Sequence, residues 1–167
     1  MACRHKLFPI DYLRNPGGAM NVEVKKSINA SGDRVWKIIS DINGSADVIS
    51  GIEKIEVLEN PSDGLVGLKW RETRTMFGKE ATEVMWITDA EENASYQTRA
   101  ESHGSIYVTK LQITDEGEGC VLAMSFEGTP QTFGAKLMWA LTGFMARSSM
   151  KKALEKDLQD IKTAAEQ

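Results

Sequence analysis

Residues 132–165 constrain the fold most: they form one long amphipathic stretch that follows an uninterrupted series of strand-like segments. Its apolar positions Leu137, Met138, Leu141, Phe144 and Met145 recur at spacings of three and four, and Ala153, Leu154, Leu158, Ile161 and Ala165 continue the pattern. That period predicts a helix with one buried face. A helix of this length needs a broad apolar surface opposite it, so the order of elements predicts a curved sheet gripping a helix. The first half of the stretch is rich in Met and Phe, with Gly134 and Gly143 interspersed. The second half carries Lys151, Lys152, Glu155, Lys156, Asp157 and Asp160 on its other faces, so the two halves are expected to do different work.

Upstream, Val22, Val24, Lys26 and Ile28 alternate through 21–28, a half-buried strand. Ser31 then caps a helix whose first turn holds Asp33 and whose inner face is Val35, Trp36, Ile38, Ile39 and Ile42. Asn43-Gly44 ends it, and 45–50 forms a second short helix stopping at Gly51. Six more strands are expected at 52–59, 65–76, 79–89, 94–102, 105–115 and 120–127. Links of hairpin length, such as Phe77-Gly78 and His103-Gly104, make sequence neighbours antiparallel partners. Gly128-Thr129-Pro130 is expected to separate the last strand from the long helix. The fold class is therefore α+β, with about seven strands in one curved antiparallel sheet. Residues 1–20 lack periodicity and end in a turn-rich cluster, so they read as a flexible N-terminal extension, with Met20 an alternative start; 21–167 reads as a single domain.

Composition narrows the function classes. A formal net charge of -4 argues against a general binder of nucleic acid, which would present a basic stripe. Cys3 and Cys120 fall in the extension and in a strand, so both read as free thiols and the location as cytoplasmic. No apolar run approaches the eighteen or so residues of a membrane span, so no integral membrane segment is expected. Metal-ligand spacing, a nucleophile elbow, a P-loop and GxGxxG are all missing from the sequence, and neither metal nor cofactor is expected.

The order strand, two short helices, six strands and long terminal helix resembles the START-like (SRPBCC) superfamily, particularly its polyketide cyclase/dehydrase and lipid-binding branch. The stretches that carry the likeness are Ile28-Asn29-Ala30-Ser31-Gly32-Asp33-Arg34-Val35-Trp36, entering the capped helix, and Gly64-Leu65-Val66-Gly67-Leu68-Lys69-Trp70-Arg71-Glu72, an early sheet strand. The resemblance spans roughly residues 20–167 and implies a helix-grip fold that holds an apolar ligand between the sheet and the C-terminal helix. Transfer proteins, cyclases, hormone receptors and co-chaperones share that fold, so function rests on the cavity side chains.

Alternation along 65–76 puts Leu68, Trp70, Glu72, Arg74 and Met76 on one face, expected to point inward. Glu72 and Arg74 are then polar groups on an apolar wall, where burial is costly without a partner. They are the candidates for orienting a ligand's polar end; alternatively the sheet's twist carries them to the rim as an exposed pair. Along 79–89 both faces mix polar and apolar residues, and the face with Ala81, Glu83, Met85 and Ile87 is favoured inward. The remaining inward sets include Tyr96, Thr98, Tyr107, Thr109 and Met124. With Trp70 and the helix residues Met138, Leu141 and Met145, they are expected to line the ligand site.

Three functions follow. The leading one is a carrier or sensor for a small hydrophobic molecule, its partner being that ligand. The second is an enzyme of polyketide cyclase/dehydratase type, with Glu72, Arg74 and Tyr107 as catalytic candidates. The third is a protein-interaction module, which predicts a filled core. Oligomeric state is not set by the sequence.

Overall fold

A computed structural model describes residues 19–76 and 78–167. Most of the expected N-terminal extension, with Cys3, lies outside the described residues, as does Phe77 of the Phe77-Gly78 link. The chain runs β1 (Met20–Ile28), α1 (Gly32–Ser40), α2 (Ser45–Val48), β2 (Ile52–Glu59), β3 (Lys69–Met76), β4 (Lys79–Glu91), β5 (Ser95–Ser102), β6 (Ser105–Glu116), β7 (Gly119–Pro130) and α3 (Phe133–Ala165).

These strands form one seven-stranded sheet in the order β1-β7-β6-β5-β4-β3-β2, antiparallel at every step. β2 through β7 are a meander, each strand beside its sequence neighbour. β1 instead pairs with β7, so α1 and α2 carry the chain from one edge of the sheet to the other. Ser31 caps α1 as its sequence requires, its Oγ accepting from Arg34 N at 3.3 Å, and Val35, Trp36 and Ile39 are buried.

α3 is held unevenly. Leu154, Leu158, Ile161 and Ala165 are buried against the sheet and α1, each large aliphatic side chain stabilising by roughly 1.5–3 kcal/mol. The Lys162 ammonium donates to Ser27 O at 2.9 Å, and Asn29 N donates to Glu166 Oε1 at 2.6 Å, which ties the helix end to the end of β1. The other end starts on the β5–β6 turn: Gln131 N and Thr132 N both donate to Gly104 O. Thr132 Oγ1 then caps the helix by accepting from Ala135 N at 3.2 Å.

Two boundaries differ from the sequence expectation by more than two residues. β3 begins at Lys69 rather than at residue 65, because Gly64 and Gly67 take φ of 64° and 92°, left-handed values that a strand does not hold. β7 continues through Gly128-Thr129-Pro130, with Pro130 opposite Ser105 at the end of β6, so the glycine and proline read as a break belong to the ladder. Among the described residues no helix is long and apolar enough to cross a membrane.

Candidate functional site

The curved sheet does not close onto α3; it leaves a cavity of about 590 Å³. Antiparallel register places directly opposed residues on the same face, so the inner wall can be followed strand to strand in rows. One row runs Trp70, Met85, Ala100, Tyr107, Gly128, Met20. Tyr107 stacks on Phe126 with ring centroids 5.8 Å apart. A Cβ on Gly128 would overlap the Trp139 indole and come within 3.3 Å of Tyr107. Glycine here is the seat that lets α3 lay Trp139 against the sheet.

The adjacent row is polar. Glu72 stands directly opposite Glu83, Ser102 opposite Ser105, and Ser102 Oγ donates to Glu83 Oε1 at 2.8 Å, linking β4 to β5. Four strands therefore contribute Glu72, Glu83, Ser102 and Ser105 to one band. Glu83 Oε2 is buried and has no hydrogen-bond partner among the described residues. Desolvating such an oxygen costs free energy that a donor would recover.

Glu72 is fully engaged. Trp70 Nε1 donates to its Oε2 at 3.2 Å and Arg74 Nε to its Oε1. Arg74 reaches across to α3 as well, its Nη1 donating to Asp157 Oδ2 at 2.9 Å. Burial works against the Arg74 cation, but Glu72 and Asp157 outweigh it and raise its pKa. Burial pushes the Asp157 carboxyl above its ordinary value; Arg74 opposes that, while Glu72 and Asp160 add to it. Burial, helped by the negative charge of Glu72, drives the Tyr96 phenol well upward, so Tyr96 stays a neutral hydroxyl. Next to this cluster Asp160 Oδ2 accepts from Ser50 N at 3.0 Å and Ser50 Oγ at 2.6 Å, tying α3 to the segment after α2. Among the described residues, five charged side chains line the cavity, acidic Glu72, Glu83 and Asp157 with basic Arg74 and Lys156.

Of the residues expected at the site, the structure brings Trp70, Glu72, Arg74, Tyr96, Thr98, Tyr107, Thr109 and Met124 to the cavity wall. Glu72 and Arg74 are an inward pair, not an exposed one at the rim, and Glu83 with Met85 faces in. The Met76 side chain lies outside what is described. Met138, Leu141 and Met145 do not line the cavity: they point outward and are 58%, 74% and 76% exposed. The helix turns Trp139, Ala146, Ser149 and Met150 inward instead. The physical reason is continuity along the helix: Trp139, Ala146 and Met150 share the face of Leu154 and Ile161, which the second half of α3 buries, and Trp139 seats on Gly128. Asp157 was also placed with the solvent-facing charges; its position three residues after Leu154 and four before Ile161, on the buried stripe, is the signal that locates it.

The protein-family profile described as polyketide cyclase/dehydrase and lipid transport matches residues 19–166. No curated protein matches the sequence. Among solved structures, the ZhuI aromatase/cyclase from Streptomyces sp. R1128 is similar at 16% identity and TM-score 0.74, over 89% of this chain and 94% of that one. A START superfamily protein from Mycobacterium smegmatis is similar at 15% identity and TM-score 0.74, over 88% and 97%. A protein from Thermus thermophilus is similar at 17% identity and TM-score 0.72, over 86% and 94%. Likeness at this level of identity speaks for the shared fold.

Proposed function

The chain belongs to the polyketide cyclase/dehydrase and lipid transport family over residues 19–166, and on that premise we propose that it binds and carries a small, mainly apolar molecule between the sheet and α3. The observation that carries this reading is the cavity of about 590 Å³, within the size that encloses a small organic ligand. Met85, Ala100, Leu111, Met124, Phe126 and Trp139 supply apolar wall. Thr98 and Thr109, opposed on β5 and β6, add hydroxyls. The unpartnered Glu83 oxygen selects a ligand whose polar end donates a hydrogen bond: an alcohol, a phenol or an amine. Carriage is favoured over turnover because Glu72, Arg74 and Asp157 are committed to one another and to Trp70.

A second reading, cyclisation or dehydration of a polyketide-like substrate with Glu72, Arg74 and Tyr107 in acid/base and orienting roles, is favoured by one observation. Two carboxylates stand opposite each other on the cavity wall with one oxygen uncommitted. The interaction-module reading predicts a filled core, which the cavity does not provide.

The test is native mass spectrometry of gently purified protein, with denaturing extraction to identify the molecule that leaves. That molecule is then rebound to variants. Met124→Trp and Ala146→Trp, both on the wall, are expected to abolish rebinding, whereas Leu141→Trp on the outer face retains it. Glu83→Gln is expected to weaken binding by ~10-fold or more while unfolding no more easily. Equal binding by all four variants would sink the site, and conversion of the rebound molecule would favour the second reading.

A further inference from the structure

The segment of α3 that seats Trp139 over the cavity has an outer face of a different kind. Phe133 is 82% exposed and Leu137 54% exposed, and Leu141 and Met145 complete a run spaced by four residues. At 1.5 Å per residue this makes an apolar stripe about 18 Å long on one side of the helix. From 133 to 154 the sequence holds Lys136, Arg147, Lys151 and Lys152 and not one Asp or Glu, in a chain whose formal net charge is -4. At 100° per residue, Lys136 and Arg147 both lie to one side of the stripe, about 100–120° round the helix from its mean direction, and Lys151 and Lys152 straddle that direction beyond Met145.

We propose that this face docks on a lipid bilayer containing anionic lipid, with Phe133, Leu137, Leu141 and Met145 in the boundary between headgroups and acyl chains and the four basic residues against the phosphates. A basic helix with an apolar stripe of aromatic and aliphatic residues lies in that interface for both reasons at once. A second copy of this chain is a poorer fit. Packing the same stripe on itself would place the basic residues of both copies in or beside one interface, with no acid on either 133–154 segment to offset them. Docking goes beyond the cavity reading, since the stripe faces away from the cavity and needs no ligand to bind lipid.

The experiment is flotation of the full chain with vesicles of phosphatidylcholine alone or with roughly a third phosphatidylglycerol. The protein is expected to float with the mixed vesicles, to stay behind with phosphatidylcholine alone, and to be released by high salt. Leu141→Glu with Met145→Glu, at exposed positions that leave the core untouched, is expected to cut vesicle partitioning by more than ~10-fold. Lys151→Glu with Lys152→Glu is expected to cut it comparably on the anionic vesicles. Thermal melting confirms that each variant is folded. The proposal is overturned if the parent floats with neither vesicle, or if the variants float as well as the parent. It is equally overturned if light scattering of lipid-free protein shows a dimer that Leu141→Glu dissociates, or if oxidative footprinting finds Met145 already shielded in the lipid-free full chain, which would mark residues 1–18 as the cover.

Discussion

Replacing Arg74 by Met tests the electrostatics of the cavity wall. Arg74 donates to Glu72 and to Asp157, whose side chains are 9% and 6% exposed. Methionine keeps much of the apolar stem and leaves two buried carboxylates with no cation between them. Removing one partner from a buried pair costs about 3–5 kcal/mol. Proton uptake sets a ceiling on the cost at Asp157: at about 1.36 kcal/mol per pH unit, protonating an Asp of ordinary pKa near 3.9 at pH 7 costs about 4 kcal/mol. Glu72 retains the Trp70 N–H as a hydrogen-bond partner. Denaturant unfolding at pH 7 is therefore expected to show a loss of about 3–5 kcal/mol. Asp157 already lies above its ordinary value with Arg74 present, and loss of the cation raises it further. A carboxyl whose folded pKa exceeds its unfolded one contributes stability that is present at low pH and lost as pH rises through the folded value. The deficit of Arg74→Met against the parent must then shrink on acidification below about pH 7, by up to about 1.4 kcal/mol per pH unit as Asp157 takes up its proton. Adding Glu72→Gln and Asp157→Asn to Arg74→Met removes the charges altogether and is expected to restore most of the loss. A deficit below about 1 kcal/mol at pH 7, or one that does not change with pH, would refute the reasoning and make Arg74 an ordinary solvated side chain.

Two further predictions concern how the helices are held. Gly128→Val suits a strand but drives a side chain into the Trp139 indole, so the variant should be less stable than the parent by about 1–3 kcal/mol; hydrogen exchange should quicken at 133–148 and not at 154–165, and unchanged exchange at 133–148 would count against Trp139 as the anchor. Ser31→Ala removes the oxygen that caps α1 and is expected to cost about 1 kcal/mol in denaturant unfolding; no measurable change would show that Ser31 O, which also accepts from Arg34 N and Val35 N, suffices alone.

The sheet was legible because each strand carries its own evidence. Trp70 and Glu72 on β3, Tyr96 and Thr98 on β5, and Leu122 and Met124 on β7 alternate with residues that tolerate water, and the hairpin links leave little choice of partner. α3 was legible as a helix but not in its rotation. Its first half has two apolar faces, one with Leu137, Leu141 and Met145 and one with Ala135, Trp139, Ala146 and Met150. Periodicity weighs the denser face as buried, whereas the fold buries the face continuous with Leu154 and Ile161 in the second half. The Asp157–Arg74 contact was hidden for a related reason: it joins residues 83 positions apart, and neither residue's local surroundings name the other. The same holds for Trp139 on Gly128, where a glycine near a proline imitates the end of a strand.

The sheet order also sets a schedule. From β2 onward each new strand meets a partner made immediately before it, so the meander grows by local closures. β1 is the exception, because its partner is the strand from 119 to 130. As the chain is synthesised, Val22, Val24 and Ile28 leave the ribosome roughly a hundred residues ahead of the backbone that will cover them. During that interval β1 is an apolar strand with an open edge, the kind of segment that other chains and chaperones bind. The first strand of the mature sheet is thus its last to be secured, and the steps between β1 and β7 are where a slow or crowded synthesis would do most harm.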